Sequence, residues 1–525
     1  MSFVTGAVAR AAIVLVLFNV ASKLTALVRE MVIARQFGTT AVMDAYLVAF
    51  SLPSVLFYLF TGALATVVVP IYSEYAAAGR EREAWGLFGT FFHVLLLLLA
   101  VATALGLLLA PWLVKLLAPD FPGDTLSLAA SLTRWMFPFL IFSGLSALFS
   151  GLLNARNIFA ITALNGPLSN LAVIIAVLVL SSQWGIYGMA LGVLAGGAAG
   201  MVVQLPALRR AGFSFRPGVA LNHPDLKRIF KLVLPITLGF SISETYILID
   251  RYLASGLAEG SISALNYANR LIQMPLGLFV TAVGTAVFPA LTRRAAGKDL
   301  RGLGEGVLRS LRLVVLVCVP SAVVLLMLRE PLVTLFFKRG VFDDRATYMT
   351  AAALFFYSFG LIGQAGEFIL TRGFFSLQDT RTPMILSAVA VLVNLGFSLA
   401  LIGSLQHGGL ALANSIAALV NMILLTFFLN RRLGGMWTPE MWRFILYVIL
   451  ASLAMGGAVE AMTRWIGLPA LSGTFALAGQ MVLVAAAGLA VYLAALTVLR
   501  IEETRQLWDF IKHYLSHKRP GGMKD

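Results

Sequence analysis

Long apolar runs recur along this chain from end to end, among them Val94 to Ala110, Leu171 to Leu180 and Val482 to Leu499. A bilayer's hydrocarbon core takes roughly 20 apolar residues to cross as a helix. Repeated runs of that kind make lipid the solvent for most of the chain, and no stretch reads as an independent extramembrane domain. Composition agrees: 59% of residues are hydrophobic and 12% charged, against roughly 45–50% and 25% in soluble domains. The expectation is an all-α polytopic membrane protein of about fourteen transmembrane helices. The spans fall at about 11–34, 44–70, 86–110, 133–153, 159–180, 185–208, 229–251, 262–289, 310–328, 349–371, 383–403, 408–429, 442–462 and 473–499. Pro53 and Pro275 lie inside spans, where neighbours or cavity water satisfy the freed carbonyls, and such breaks favour a moving transporter over a static anchor. The first apolar run lacks a small-residue cleavage site and continues into Lys23 and Arg29, so it reads as a retained helix.

The formal charge of +15 does not call for nucleic acid. The basic residues fall in short loops between apolar runs, as the positive-inside rule requires. The sets around Arg80 and Arg82, Arg209 to Lys231, Arg293 to Arg312, Arg372 and Arg381, and Arg431 to Arg443 hold 19 of the 39 Lys and Arg. Arg10, Arg156 and the basic tail join them. The smaller opposite set is Arg35, Lys115, Arg134, Arg251, Arg329, Lys338, Arg339, Arg345 and Arg464. The asymmetry predicts both termini in the cytoplasm and an even number of spans. Cys318 is the only cysteine and lies in an apolar run, so neither a disulfide within the chain nor a cysteine metal site is available.

Sliding the chain on itself by one fixed offset pairs Arg29 with Arg251, Pro53 with Pro275 and Gly62 with Gly284. The same offset pairs Gly144 with Gly366, Gly151 with Gly373, and Arg209 and Arg210 with Arg431 and Arg432. One offset serving all of these implies a duplicated six-helix unit. Six is even, so both copies run in the same direction, which predicts two lobes related by a pseudo-two-fold along the membrane normal, with a site between them. The expected organisation is an N-terminal lobe over 1–222, a C-terminal lobe over 223–440, two extra helices over 441–499 and a basic cytoplasmic tail over 500–525.

The most informative residues are ionisable groups inside spans, each costing roughly 2.5–3.5 kcal/mol at a helix centre on the insertion scale. These are Lys23, Arg29 and Glu30 in the first span, Asp44 at the start of the second, Glu244 and Asp250 in the seventh, Arg270 in the eighth and Glu367 in the tenth. Arg29 and Arg270 each lie about eight residues from the outer end of their span, or about 12 Å deep at 1.5 Å per residue, and so are placed to meet at one depth. Fixed cations facing a cavity suit a multiply charged anionic head group, and arginine's planar fork suits phosphate oxygens. The blander alternative is an internal ion pair, Arg29 with Asp44 or Arg270 with Glu244. Asn165, Asn170, Asn394, Asn414 and Asn421 are candidate hydrogen-bond partners between helices. No P-loop, nucleophile elbow or HExxH motif is present, which argues against an ATPase or a covalent-catalysis enzyme.

Three segments carry a resemblance: SKLTALVREMVIARQFGTTAVMDAYLVAFSLPSVL, YANRLIQMPLGLFVTAVGTAVFPALT and SLQDTRTP. They resemble the MurJ (MviN) family of lipid II flippases, within the multidrug/oligosaccharidyl-lipid/polysaccharide exporter superfamily. The resemblance implies a flippase that moves undecaprenyl-pyrophosphate-linked peptidoglycan precursor across the inner membrane by alternating access, without ATP and with no organic cofactor. It also implies two lobes around a cationic cavity and a groove for the lipid tail on the last two helices. The family's cavity cations fall on Lys23, where Arg is usual, and on Arg29, next to Glu30, and Arg270; its acid on the second helix falls on Asp44. Asp250, Asn394, Ser398 and Asn414 roughly match a sodium site of some members, which makes Na+ or H+ the expected coupling ion. This sequence departs from the family pattern at Ser398, where an acid is expected, at Phe57 and Tyr58 in place of a basic pair, and at Asn269 and Gln273 in place of acids flanking Arg270. The expected partners are lipid II or a related polyprenyl-pyrophosphate glycolipid and membrane lipids, with no nucleic acid. Competing readings are a flippase for another polyprenyl-linked oligosaccharide, a cation or drug antiporter of the MATE type, and a non-transporting scaffold. A basic cavity argues against the antiporter, and deep arginines have no use in a scaffold.

Overall fold

The computed structural model describes residues 2–213, 224–467 and 473–501 and contains no strand among them. Its helices, in chain order, are α1 (Ser2–Phe37), α2 (Ala41–Ala77), α3 (Glu81–Leu117), α4 (Gly123–Met136), α5 (Phe139–Ala155), α6 (Phe159–Ala163), α7 (Asn165–Trp184) and α8 (Ile186–Arg210). There follow α9 (Pro224–Ala254), α10 (Ser261–Pro275), α11 (Thr281–Ala296), α12 (Leu300–Met327), α13 (Arg329–Phe336) and α14 (Asp344–Ser358). The last five are α15 (Leu361–Ser376), α16 (Arg381–Leu405), α17 (His407–Arg432), α18 (Pro439–Ile466) and α19 (Thr474–Val498). Residues 502–525 of the expected tail lie outside the described residues.

Among the described residues, eleven spans are long and apolar enough to cross a membrane, and α14 with α15, bent by 46° at their junction, add a twelfth when counted as one broken span. The two remaining expected spans, 11–34 and 229–251, fall on α1 and α9, helices of 36 and 31 residues whose side chains are only partly described. Exposed faces are apolar, as lipid contact requires: Leu97, Leu105 and Leu108 on α3, and Leu171, Ile175 and Leu178 on α7. Trp112, Trp184, Trp442 and Trp465 are exposed near helix ends, where amphipathic rings settle at a membrane interface. The chain is a multi-pass membrane protein.

Its contacts divide it into two compact units, Met1–Ala264 with Phe337–Met349, and Leu265–Phe336 with Thr350–Asp525. In the first, Tyr72, Phe88 and Phe149 belong to a buried aromatic and aliphatic core shared by α2, α3 and α5, and the partly buried Trp85 packs against it, with Tyr72 and Trp85 rings 4.9 Å apart. Helix α9 packs on α2 and α3, and its first turn is tied to the end of α2. Tyr75 donates to Asp225, and the Arg228 fork donates to both Glu74 oxygens at 2.8 and 3.0 Å. In lipid, helices gain nothing from hiding apolar surface against one another, so close packing of small residues matters more. Gly144 faces Leu99, where a Cβ would come within 2.6 Å; in the second unit Gly366 faces Met422, where it would come within 2.4 Å. These two glycines are one of the pairs that the sequence offset matches.

The backbone carries the duplication more clearly than the side chains. Positive φ occurs at Gly38 and Gly260 (55° and 88°), Asn157 and Gln378 (62° and 59°), Gly185 and Gln406 (54° and 53°), and Gly212 and Gly434 (99° and 73°). Every one of these pairs keeps the sequence offset to within a single position. The joint between α7 and α8 and that between α16 and α17 are the same turn, with ψ of −134° at Gly185 and −135° at Gln406. Turn geometry is set by sterics, so four matched turns at one offset are independent support for the repeat.

Candidate functional site

Helix α1 places Ser22, Thr25 and Arg29 on one stripe, at the i, i+3, i+7 spacing of a helix face. Helix α7 packs on that stripe. The approach is close because Gly166 has no side chain: a Cβ there would sit 2.3 Å from Ser22 Oγ. One turn further along α7, Asn170, only 5% exposed, accepts a hydrogen bond from Arg29 Nη1 at 2.9 Å. Its Nδ2 donates to Ser22 O and to Thr25 Oγ1, both at 3.1 Å. Arg29 Nη2 donates to Glu30 Oε1 at 2.5 Å, with the Arg29 side chain 22% exposed and Glu30 nearly buried. Arg29 is therefore half-buried, neutralised by its sequence neighbour and oriented by α7. The internal ion pair that the sequence left open does exist at Arg29, but with Glu30 rather than Asp44.

Asp44 lies in the first turn of α2 and is 4% exposed. Its carboxylate accepts from Gly260 N at 2.8 Å and from Ser263 N and Ser263 Oγ, each at 2.7 Å. These donors lie in the residue that precedes α10 and in its first turn, where the helix presents unpaired N–H groups and a partial positive charge. Gly260 is needed for this: its φ is +88°, and a Cβ would come within 2.4 Å of Thr39 O. The surrounding loops reinforce the tie. Ala41 N donates to Glu259 Oε1 at 2.8 Å, Arg345 Nη2 to Glu259 O at 2.8 Å, and Val341 N to Arg35 O at 2.9 Å. Asp44 thus fastens α2 to the start of α10.

Lys23 is exposed on α1 and has no ion pair among the described residues. Arg270 is exposed on α10, one turn before Pro275, after which Leu276–Val280 form a π-helical turn; such turns occur frequently at functional sites. The side chain of Glu244, the alternative partner for Arg270, lies outside those described. Phe57 and Tyr58, where the family resemblance puts a basic pair, instead make an aromatic patch. Phe57 and Phe50 each meet the Phe139 ring edge-on at 5.6 and 5.7 Å, and Tyr58 is 54% exposed.

Of the expected ion ligands, Asp250 lies on α9 in the first unit, and its Oδ1 is buried without a hydrogen-bond partner. Asn394 and Ser398 lie one turn apart on α16 in the second unit, both fully buried. Asn394 Oδ1 and Nδ2 and Ser398 Oγ are likewise unpartnered; Asn414, on α17, is half-buried. Buried polar groups without partners are uncommon, and an oxygen pair of this kind fits a hard cation or a water. No group of three or more His, Cys, Asp or Glu that could hold a metal ion occurs among the described residues. The polar anchors that the sequence reading did not identify are Ser22 and Thr25, and the clamp of Glu74 and Tyr75 on Asp225 and Arg228. Their signal lies in helix spacing on α1 and in oppositely charged residues at helix ends, which pair only once the helices are placed.

The family model described as lipid II flippase MurJ matches residues 33–479. A lipid II flippase MurJ of Burkholderia cenocepacia is 32% identical over 454 residues, covering 84% of this chain and 88% of that protein. A probable lipid II flippase MurJ of Rhizobium meliloti is 34% identical over 472 residues, covering 85% of each. Among solved structures, a lipid II flippase MurJ in an inward closed conformation superposes with a TM-score of 0.79 at 24% identity, covering 92% of this chain and 98% of that one. An inward-facing multidrug resistance MATE family transporter of the MOP superfamily superposes at 0.68 with 14% identity, so the fold is that of the superfamily. With a family model spanning most of its length and relatives 32% and 34% identical over most of both chains, this chain belongs to the MurJ family of lipid II flippases.

Proposed function

We infer that this chain is a lipid II flippase, a transporter and not an enzyme. The observation that carries the reading is the match to the MurJ family over residues 33–479. Within the chain, an arginine in the first span, held half-buried by Asn170 and Glu30, supplies a cation suited to pyrophosphate. Such a residue is costly in lipid unless something uses it. Arg29 and Arg270 are the proposed pyrophosphate ligands, with Lys23 as a further cation near the head group and Glu30 as the resting counter-ion of Arg29. Asp250, Asn394, Ser398 and Asn414 are the proposed coupling-ion ligands, and the unpartnered oxygens of Asp250, Asn394 and Ser398 support that assignment. The inner membrane with both termini cytoplasmic is the proposed location, supported by the distribution of Lys and Arg among the loops.

The test of function is whether this gene alone restores growth to cells depleted of their own lipid II flippase. The test of the site is lipid II binding by Arg29→Ala, Arg270→Ala and the two Lys variants, each at normal membrane levels. A charge-assisted hydrogen bond is worth about 1.5–3 kcal/mol, so each alanine variant should bind roughly tenfold to over a hundredfold more weakly, with lysine between. Wild-type binding by both alanine variants would make these arginines structural. Rescue of flipping for another polyprenyl-linked oligosaccharide, without growth rescue, would instead support the second substrate class.

A further inference from the structure

We propose that Asn170 is a positioning residue that aims the Arg29 guanidinium for the anionic head group, an inference that rests on Arg29 being a pyrophosphate ligand. An asparagine serving only to join two helices can be satisfied by backbone groups on either side. Here the single acceptor, Oδ1, is spent on Arg29 at 2.9 Å. Both N–H donors are spent on α1, at Ser22 O and Thr25 Oγ1. Thr25 Oγ1 is itself fixed, donating to Ala21 O at 2.8 Å and Ser22 O at 3.1 Å. The amide therefore has one orientation, since turning it over would set its N–H groups against those of Arg29 and its oxygen against a carbonyl.

The consequence for Arg29 follows from its own donors. A guanidinium has five N–H groups in a rigid fork, and the described contacts use Nη1 for Asn170 and Nη2 for Glu30. The remaining donors are those an oxyanion can take. An arginine free to turn in a cavity would lose rotamer freedom on capturing its anion; one already held by a neutral amide loses less. Neutrality matters, because an acid at position 170 would hold Arg29 as firmly but compete with the phosphate. Glu30 and Asn170 then differ in kind. Glu30 is an anion that phosphate can displace, and Asn170 is a neutral support that stays in place.

The experiment uses the full chain in lipid nanodiscs, with two readouts on Asn170→Ala and Asn170→Asp. The first is the rate of Arg29 modification by phenylglyoxal, followed by mass spectrometry, which reads the contact without any substrate. Asn170→Ala should speed it several-fold; an unchanged rate overturns the proposal. The second is lipid II affinity in two backgrounds. With Arg29 present, Asn170→Ala should weaken binding by about three- to tenfold, less than the loss of a charge-assisted contact to the anion itself because Arg29 remains, and Asn170→Asp by more. With Arg29→Ala, neither change should weaken it further. An equal loss in both backgrounds assigns Asn170 a purely structural role and overturns the proposal while leaving the Arg29 reading intact. If Arg29→Ala alone retains wild-type binding, the pyrophosphate reading falls and the proposal falls with it. Asn170→Asp keeps the side-chain volume, so the affinity comparison survives if the alanine variant inserts poorly.

Discussion

Replacing Asp44 tests how the start of α10 is held. The carboxylate is 4% exposed and accepts three hydrogen bonds of 2.7 to 2.8 Å from Gly260 N, Ser263 N and Ser263 Oγ. Asp44→Ala leaves two backbone N–H groups at the α10 N-terminus without their acceptor, and an orphaned buried donor costs about 1–3 kcal/mol. Allowing for partial relaxation and water entry, the loss should be about 3 kcal/mol. Asp44→Asn retains one oxygen for Ser263 but turns an N–H group toward a backbone N–H, and should cost about half as much. Ser263→Ala removes only the hydroxyl donor, at about 1–1.5 kcal/mol. The double variant Asp44→Asn with Ser263→Ala should cost less than the sum of the singles, because both act on one carboxylate. Equilibrium unfolding in mixed detergent micelles would measure all four. If Asp44→Ala unfolds at the wild-type midpoint, or if the Asp44 and Ser263 effects simply add, the three-donor tie is not what holds this turn.

Two further outcomes are expected. Gln406 adopts φ 53° and ψ −135° at the α16 to α17 joint, a region that costs a residue with a side chain about 1–3 kcal/mol, whereas glycine occupies the matching turn at Gly185. Gln406→Gly should therefore stabilise the protein by about 1 kcal/mol after glycine's unfolded-state entropy is subtracted, and a lower thermal midpoint would refute the strain. Asp379 lies in the loop before α16. Burial pushes its carboxyl up, but this is outweighed by hydrogen bonds from Thr382 N at 3.0 Å and Thr382 Oγ1 at 2.8 Å and by the Arg432 guanidinium at 2.8 Å, which hold it below the usual carboxylate range. A group depressed on folding stabilises above its unfolded value, near 4, and that stability is lost as pH falls through the folded value. The acid-side loss of stability should accordingly be shallower in Asp379→Asn, and identical acid profiles would count against the assignment.

Hydrophobic length is a local property of sequence. In a medium that cannot hydrogen-bond the backbone, it dictates without any tertiary contact that these segments are helices and roughly where each begins and ends. The duplication was legible for the same reason: matched glycines, prolines and arginines at one offset survive in the text, and the recurring turn at Gly185 and Gln406 is the backbone form of that signal. The sequence also showed which positions carry charge in lipid, since such residues are rare and costly. It could not show how those charges are satisfied. Asn170 reaches Arg29 across 141 residues and Gly260 reaches Asp44 across 216, and no spacing rule spans such separations. Nor did it show that Arg29 would turn to Glu30, its own neighbour, because residues one apart diverge on a helix and meet only when the surrounding packing bends the side chains together. The break at Pro138 between α4 and α5 is local, since proline has no N–H to continue the helix, whereas at the 46° bend between α14 and α15 Gly360 lies against Ser415 of α17, a contact that only the fold supplies. Apolar content sets where a helix can sit in the membrane, whereas the direction in which a buried polar group points depends on which helix lies against it, and that is fixed only in the folded chain.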